Sequence, residues 1–287
     1  SVRQTGRVGP LVDAEALRSL LGEPGTVVVD CRWKLGEPGA GVPLYLAGHI
    51  PGATFLDVDR DLAAPPGERG RHPLPEAGAF ERAARRAGIG AGSFAVAYDA
   101  AGEGGAARLW WLLRHFGHDR VAILDGGLAA WRAAGGPLEP GRVDPPAGDF
   151  TVHPRTDDVA PLAELRERAL GADPALTLVD ARAPERYRGD HEPVDPVAGH
   201  IPGAGNVPFG TLAPGGRFLA PAELRERLAA AGVRPGAGAV AYCGSGITAA
   251  IVVAAAAAAG IDDVRLYPGS WSEWCRAVPG NDEAPDA

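Results

Sequence analysis

The feature that most constrains the fold of this chain is an internal repeat. The hexapeptide Gly-His-Ile-Pro-Gly-Ala at 48–53 recurs at 199–204. Around it, other pieces recur in the same order, such as Ala-Val-Ala-Tyr at 95–98 and again at 239–242. Because the period is about half of the chain, the repeat indicates two similar domains and not a solenoid of short units. A length of 287 residues fits two domains of ordinary size.

Apolar runs alternate with segments of helical periodicity in both halves. The first half predicts strands at 26–30, 94–99 and 121–124, and helices at 11–21, 80–87 and 106–116. The second half predicts strands at 176–180, 238–242 and 263–267, and helices at 161–170, 221–231 and 248–259. Such alternation is typical of an α/β fold in which helices cover both faces of a parallel sheet.

The domain boundary is predicted from composition. Residues 135–156 are rich in Pro and Gly and show no periodicity, so we interpret them as a linker. This interpretation gives an N-terminal domain at 1–134 and a C-terminal domain at 157–287.

Composition and charge exclude several function classes. The formal net charge of −8, without a basic stripe carrying interleaved aromatics, argues against nucleic acid as a partner. No apolar stretch reaches membrane-spanning length, and residues 1–10 lack the apolar core of a secretory signal, so no membrane partner is expected. The three scattered cysteines show no metal-ligand spacing. We therefore expect no metal, no cofactor and a reducing cytoplasmic location.

Cys243 occupies the most suggestive position in the chain. It follows the apolar run 239–242, and the Gly-rich segment 244–247 then leads into the apolar helix predicted at 248–259. A cysteine on such a turn lies among inward-facing backbone N–H groups at the positive end of a helix, which favours anions and the thiolate. The sequence therefore predicts a cysteine nucleophile that handles an anionic group.

Several motifs, taken together and in order, carry a family resemblance. They are the two Gly-His-Ile-Pro-Gly-Ala segments, Asp-Gly-Gly-Leu-Ala-Ala-Trp at 125–131, Gly-Ser-Trp-Ser-Glu-Trp at 269–274, and the loop Cys-Gly-Ser-Gly-Ile-Thr-Ala at 243–249. The chain resembles the tandem rhodanese-type sulfurtransferases, the family of thiosulfate and 3-mercaptopyruvate sulfurtransferases. The resemblance covers nearly the whole chain and implies two tandem rhodanese-like α/β domains.

The resemblance also implies a reaction and a set of binding groups. Cys243 would attack the sulfane sulfur of an anionic donor, carry it as a persulfide, and pass it to a thiol or cyanide acceptor. Arg186 resembles the arginine with which the family binds the donor. Arg188 is a nearby second candidate, but a solvent-exposed or structural role is expected for it. The remaining binding groups would be the loop residues Gly244, Gly246, Ile247 and Thr248.

The Gly-Ser-Gly segment at 244–246 resembles the mercaptopyruvate-type members of the family. In those enzymes the loop serine is grouped with a histidine and an aspartate of the first domain, which implies a relay of Ser245, His72 and Asp59. One departure stands against strict mercaptopyruvate preference. Such enzymes commonly carry a second arginine before the second Gly-His-Ile-Pro-Gly, and residues 191–198 contain none. The choice between 3-mercaptopyruvate and thiosulfate stays open.

The first half of the repeat places Asp99 where the second places Cys243. Because a carboxylate cannot carry a persulfide, we predict that the N-terminal domain is catalytically silent, while still contributing residues to the site. The repeat-related residues His49, His200, Asp30 and Asp180 are expected to have structural roles. Cys31 and Cys275 are expected to be inert packing cysteines.

Two other function classes are alternatives to sulfur transfer by an enzyme. A phosphatase with a similar cysteine loop needs the motif Cys-x5-Arg, so that the arginine can bind the phosphate oxygens. In this chain Ala249 occupies the position of that arginine. A sulfur-carrier or interaction module, which delivers persulfide sulfur to a protein partner with little small-molecule turnover, remains the alternative.

Overall fold

The computed structural model describes residues 9–169, 171 and 176–277, and the chain divides into two compact units. Of the described residues, unit 1 takes those within Ser1–Ala64, Leu74–Arg155 and Pro214–Phe218. Unit 2 takes those within Pro65–Pro73, Thr156–Ala213 and Leu219–Ala287. Two short segments thus belong to the unit opposite to the one that chain order suggests.

Unit 1 contains a parallel sheet with helices against it. Its elements are β1 (Leu11–Val12), α1 (Ala14–Leu20), β2 (Thr26–Asp30), α2 (Gly41–Ala47), β3 (Thr54–Phe55), α3 (Ala77–Arg86), β4 (Phe94–Tyr98), α4 (Gly105–His115), β5 (Val121–Leu124) and α5 (Gly127–Ala133). The strand order is β1-β5-β4-β2-β3, and every neighbouring pair is parallel.

Unit 2 repeats this plan. Its elements are α6 (Leu162–Ala169), β6 (Thr177–Asp180), α7 (Pro184–Arg188), β7 (Gly205–Asn206), α8 (Phe209–Leu212), α9 (Pro221–Ala230), β8 (Ala239–Tyr242), α10 (Ala249–Ala258), β9 (Val264–Leu266) and α11 (Ser270–Ala277). The order β7-β6-β8-β9 is again all parallel. The predicted α/β fold with two such domains is confirmed. None of the described helices is both long and apolar enough to cross a membrane.

The predicted helix at 11–21 is wrong at its start. Leu11 and Val12 form a short strand that pairs with Ile123 and Leu124 of β5. The helix begins only after Asp13, whose carboxylate accepts the Ala16 N–H at 2.7 Å and so caps the first turn. The apolar spacing alone could not show that the first two residues complete a sheet edge.

Residues 135–155 of the predicted linker group with unit 1. The Phe150 N–H donates to the Ile89 carbonyl at 3.3 Å, and the Arg155 N–H donates to the His115 carbonyl at 2.8 Å. A segment without regular structure satisfies its backbone groups in this way along the surface of the unit it leaves.

The repeated motifs build one hydrogen-bond network in each unit. In unit 2, the Arg182 guanidinium lies 2.6 Å from the Asp180 carboxylate and donates to the Gly199 carbonyl at 2.6 Å. The Tyr242 hydroxyl accepts the Ile201 N–H at 3.0 Å, so the strand end and the Gly-His-Ile-Pro-Gly turn are joined. The matching contacts in unit 1 are made by Asp30, Arg32, Gly48, Tyr98 and Ile50. Each aspartate binds one arginine, two residues on, through both the backbone N–H and the guanidinium of that residue.

The two repeat histidines pack within the same turns. His200 stacks on Tyr187, with ring centroids 4.0 Å apart, and its Nδ1 lies 2.8 Å from the Tyr187 carbonyl. His49 stacks on Tyr45 in the same manner at 4.3 Å. These contacts fit the structural role predicted for both residues.

Candidate active site

The Cys243 loop begins directly after β8 and leads into α10. The Cys243 side chain is buried, and the Gly246 N–H donates to its Sγ at 3.1 Å. The start of α11 holds the loop from the other side: the Trp271 N–H donates to the Cys243 carbonyl, and the Ser272 N–H donates to the Gly244 carbonyl, each at 2.9 Å. The sulfur is therefore fixed at the carboxyl end of a central strand, where ligands bind in open α/β sheets.

Ser270 connects the loop to α11 through a strained backbone. Among the described residues it is the single non-glycine with positive φ, at 53°. Its hydroxyl accepts the Cys243 N–H at 3.1 Å and donates to the Tyr267 carbonyl at 2.9 Å. A left-handed conformation costs an L-residue about 1–2 kcal/mol. The surrounding contacts of unit 2 offset that cost and keep the Ser270 hydroxyl within hydrogen-bond distance of the Cys243 N–H.

Gly246 and Gly244 of the loop exclude a side chain for different physical reasons. Gly246 has φ of +80°, and a Cβ atom there would lie 2.5 Å from the Pro268 carbonyl oxygen, so no side chain fits. At Gly244 a Cβ atom would instead meet guanidinium nitrogens, 2.7 Å from Arg71 Nη2 and 3.5 Å from Arg186 Nη2. Ile247 is buried, and Thr248 is half-buried where α10 begins. Both predicted binding residues thus belong to the loop itself.

The structure brings together two members of the predicted relay. His72 Nδ1 lies 2.7 Å from Ser245 Oγ, and both side chains are buried. The contact lies within unit 2, because residues 65–73 belong to that unit although they precede most of unit 1 in the chain. Asp59 belongs to unit 1, where its N–H donates to the Asp57 carboxylate at 2.9 Å. Its part in the relay stays a prediction.

Arg186 lies on α7 in a cluster of charged side chains. It binds the Glu192 carboxylate with Nε at 3.1 Å and Nη2 at 2.7 Å, and Nη2 lies 3.5 Å from Asp195. Burial acts to raise the pKa of Glu192, but hydrogen bonds from Arg186 and from backbone N–H groups lower it overall. Burial raises the pKa of Asp195, although the charge of Arg71 acts in the opposite direction. The cluster therefore holds Arg186 beside Gly244. Arg188, by contrast, is exposed and pairs with Asp190.

Comparison with known proteins identifies the family. The model of the rhodanese-like domain matches twice, at residues 13–134 and 162–277. The chain belongs to the rhodanese family. A Mycobacterium tuberculosis protein named "Putative thiosulfate sulfurtransferase SseB" is 46% identical over 92% of this chain and 93% of its own. A Pseudomonas aeruginosa protein named "Probable 3-mercaptopyruvate sulfurtransferase" is also 46% identical, over 92% of this chain and 94% of its own.

A solved structure agrees with these sequence relatives. The crystal structure of SseA from Escherichia coli, described as one of the 3-mercaptopyruvate sulfotransferases, is 33% identical and has a TM-score of 0.81. The match covers 93% of this chain and 100% of SseA. Similarity over nearly the full length shows that this rhodanese is a sulfurtransferase. The relatives named for thiosulfate and for 3-mercaptopyruvate are equally similar, so they do not decide the donor.

The loop of the first rhodanese-like domain is filled by its own carboxylates. Asp99 accepts the N–H groups of Gly102 at 2.8 Å, Gly104 at 3.0 Å and Ala106 at 3.3 Å. Glu103 accepts two further N–H groups, at 2.9 and 3.1 Å. Burial and the neighbouring Glu103 carboxylate raise the pKa of Asp99 to about 7. Five backbone N–H groups of this loop are thus already bound to carboxylates of the same loop.

We expect that an Asp99→Cys variant gains no second active site. Glu103 would keep its backbone N–H groups, and its nearby negative charge would oppose a persulfide anion. The measurement is the number of cyanide-labile sulfur atoms per chain after loading with donor. One per chain is expected, and two would refute the silence of the first domain. A Cys243→Ser, Asp99→Cys double variant, expected to hold none, is the matched control.

The two other cysteines have the surroundings of packing residues. Cys31 and Cys275 are both buried and free. Burial, followed by the charge of Asp30, raises the pKa of Cys31 well above its usual value, and burial likewise raises the pKa of Cys275. Thiols held in the neutral form are poor nucleophiles, which agrees with the prediction that neither carries sulfur.

Proposed function

We propose that this rhodanese moves a sulfane sulfur from thiosulfate or 3-mercaptopyruvate to a thiol or cyanide, through a persulfide on Cys243. The observation that supports it most is the Gly246 N–H directed at Cys243 Sγ at 3.1 Å, in a loop fixed at the carboxyl end of β8. Donors of this class are anions, and Arg186 beside Gly244 supplies a cation where they must approach.

With thiosulfate the first half-reaction needs no proton. The Cys243 thiolate attacks the outer sulfur, a new S–S bond forms, and the old S–S bond breaks with its electron pair leaving on sulfite. One thiolate and one dianion give one persulfide anion and one sulfite dianion, so charge is conserved. The loop amides then face an anion that has grown by one sulfur atom, which they stabilise without a metal.

With 3-mercaptopyruvate the leaving group has carbanion character, and it needs a proton. Attack on the donor sulfur breaks its bond to carbon, and the electron pair is held as the pyruvate enolate. The thiol proton of the donor must end on that carbon to give pyruvate. Ser245 Oγ and His72 Nδ1, 2.7 Å apart, form a pair that can accept and return this proton.

The second half-reaction restores the thiolate. Cyanide or a thiolate takes the outer sulfur, which gives thiocyanate or a new persulfide and leaves Cys243 ready for another cycle. The three free cysteines support a cytoplasmic location, where thiols stay reduced and thiol acceptors are abundant.

The deciding experiment measures steady-state turnover with the two donors side by side, with cyanide as acceptor. Thiocyanate production with ping-pong kinetics is expected for at least one donor. Formation of a Cys243 persulfide without turnover would favour the sulfur-carrier alternative. Absence of any persulfide with both donors would refute the proposed chemistry.

An Arg186→Ala variant should bind both donors more weakly, because each donor brings a negative charge to the loop. Loss of a hydrogen bond to a charged group is expected to lower kcat/KM by about 10- to 100-fold. The matched control is Arg188→Ala on the same helix, whose exposed side chain pairs with Asp190 and should leave both donors unaffected. An equal loss in both variants would show that the arginine does not act locally.

A further inference from the structure

Arg71 lies at the Cys243 loop, although it is outside every motif that carries the family resemblance. Its Nη2 would lie 2.7 Å from a Cβ atom at Gly244, closer than either terminal nitrogen of Arg186. The guanidinium is therefore one of the groups that face the first residue after the nucleophile. A glycine at 244 leaves the room that the two arginines occupy.

The backbone around Arg71 is built to hold it there. Its N–H donates to Ser272 Oγ at 3.1 Å, and that hydroxyl in turn donates to the Gly269 carbonyl at 3.0 Å. Gly70 has φ of +99°, and a Cβ atom there would lie 2.8 Å from both the Gly269 carbonyl oxygen and Ser272 Oγ. At Gly70 the segment thus approaches the start of α11 as closely as glycine allows. Two residues later, His72 contacts Ser245.

The side chain of Arg71 is only partly satisfied within the protein. Nη1 pairs with the Asp195 carboxylate, whose side chain is fully buried. Nε is buried and has no hydrogen-bond partner among the described residues. Because Nε and Nη2 form one edge of the planar guanidinium, that edge can bind two oxygens of a carboxylate or sulfonate. A buried N–H donor without a partner costs stability and calls for an explanation such as a missing ligand.

The charges of the cluster leave room for an incoming anion. Arg71, Arg182 and Arg186 are matched by Asp180, Glu192 and Asp195, and the positive charge of Arg276 also acts on Asp195. A donor anion therefore meets no excess of negative charge in this cluster, and the guanidinium groups of Arg71 and Arg186 already face Gly244. The protein loses no ion pair when the donor takes the Nε–Nη2 edge of Arg71.

We propose that Arg71 is a donor-binding residue of this sulfurtransferase, which holds the carboxylate or sulfonate oxygens of the donor through its Nε–Nη2 edge while the sulfane sulfur meets Cys243. This inference rests on the proposed function. It assigns to the segment 65–73 the second cation that residues 191–198 lack. It also sets the donor class: a sulfane sulfur within reach of a group with two or more anionic oxygens.

The test is an Arg71→Gln variant, which removes the charge and keeps a polar side chain. KM for both donors is expected to rise about 10- to 100-fold, with a small change in kcat. Arg71→Lys should recover part of the loss, because it restores the charge without the edge of two donors. Arg188→Gln is the matched control. A displaced His72 would instead lower kcat with 3-mercaptopyruvate alone.

A second readout is independent of sulfur transfer. The rate of alkylation of Cys243 by the anion iodoacetate, divided by that by neutral iodoacetamide, reports the local positive charge. Peptide mass spectrometry follows Cys243 separately from the other cysteines. The ratio should fall about tenfold or more in Arg71→Gln and stay unchanged in Arg188→Gln.

Loss of the buried ion pair is separated from loss of binding by a double variant. Arg71→Gln leaves the Asp195 charge buried without its partner, whereas Arg71→Gln with Asp195→Asn removes both charges. Recovery of the melting temperature in the double variant with a KM that stays high supports the proposal. Unchanged KM and alkylation ratio in a folded Arg71→Gln protein would overturn it, even if the wild type forms its persulfide normally. A wild type that forms no persulfide would instead refute the proposed function.

Discussion

Cys243→Ser is expected to abolish sulfur transfer from both donors, by about 10⁵-fold or more. A serine oxygen cannot carry the sulfane sulfur, so the covalent intermediate is lost and no other group in the loop replaces it. The measurement is thiocyanate formation, together with the mass of the chain after incubation with donor. The wild type should gain the mass of one sulfur atom, and the variant should gain none.

Cys31→Ser and Cys275→Ser are the matched controls for this variant. Both thiols are buried, and burial raises the pKa of each. Each control should retain most of the turnover and the added sulfur. Comparable loss in either folded control would move the nucleophile away from Cys243.

Ser245→Ala is expected to separate the two donors. General acid–base catalysis typically contributes about 10²–10⁴-fold, so turnover of 3-mercaptopyruvate should fall by roughly that factor. Thiosulfate turnover should change little, because sulfite leaves as a stable anion. The measurement is kcat/KM for both donors in one preparation, with His72→Ala as the companion variant because its Nδ1 lies 2.7 Å from Ser245 Oγ.

Two outcomes would contradict the proposed relay of Ser245 and His72. Equal loss on both donors in Ser245→Ala, or no loss in His72→Ala, would reduce the serine to a residue that shapes the loop. The site would then be of the thiosulfate type, with binding by arginines and no proton transfer.

Elements that coincide with an uninterrupted apolar run were readily predictable from the sequence, whereas several others were not. The strand predicted at 121–124 has the observed bounds, and the all-apolar helix predicted at 248–259 is found at Ala249–Ala258. Their uninterrupted apolar runs, which are followed by the turn glycines Gly126 and Gly260, carry the signal. Helix α2 and the two-residue strands β3 and β7 went unpredicted. The two strands gain regular structure from pairing with β2 and β6 and not from their own pattern.

The candidate site shows the same division between local and distant signals. Cys243 was evident because strand, glycines and helix are contiguous in the sequence. Arg71 was not, since its ion-pair partner Asp195 is 124 residues away and no spacing rule joins them. The absence of arginine at 191–198 suggested a missing cation. Tertiary structure supplies one from a segment that lies far away in the sequence.

The left-handed Ser270 bears on how this protein could be engineered for heat resistance. A common strategy replaces non-glycine residues of positive φ by glycine, and among the described residues it would select Ser270 alone. Relief of the backbone would stabilise the fold by about 1 kcal/mol. The same substitution would delete the hydroxyl that accepts the Cys243 N–H, so the thermostable product would be expected to lose the geometry of its nucleophile. Designs that raise the melting temperature should therefore leave this position unchanged and look elsewhere for stability.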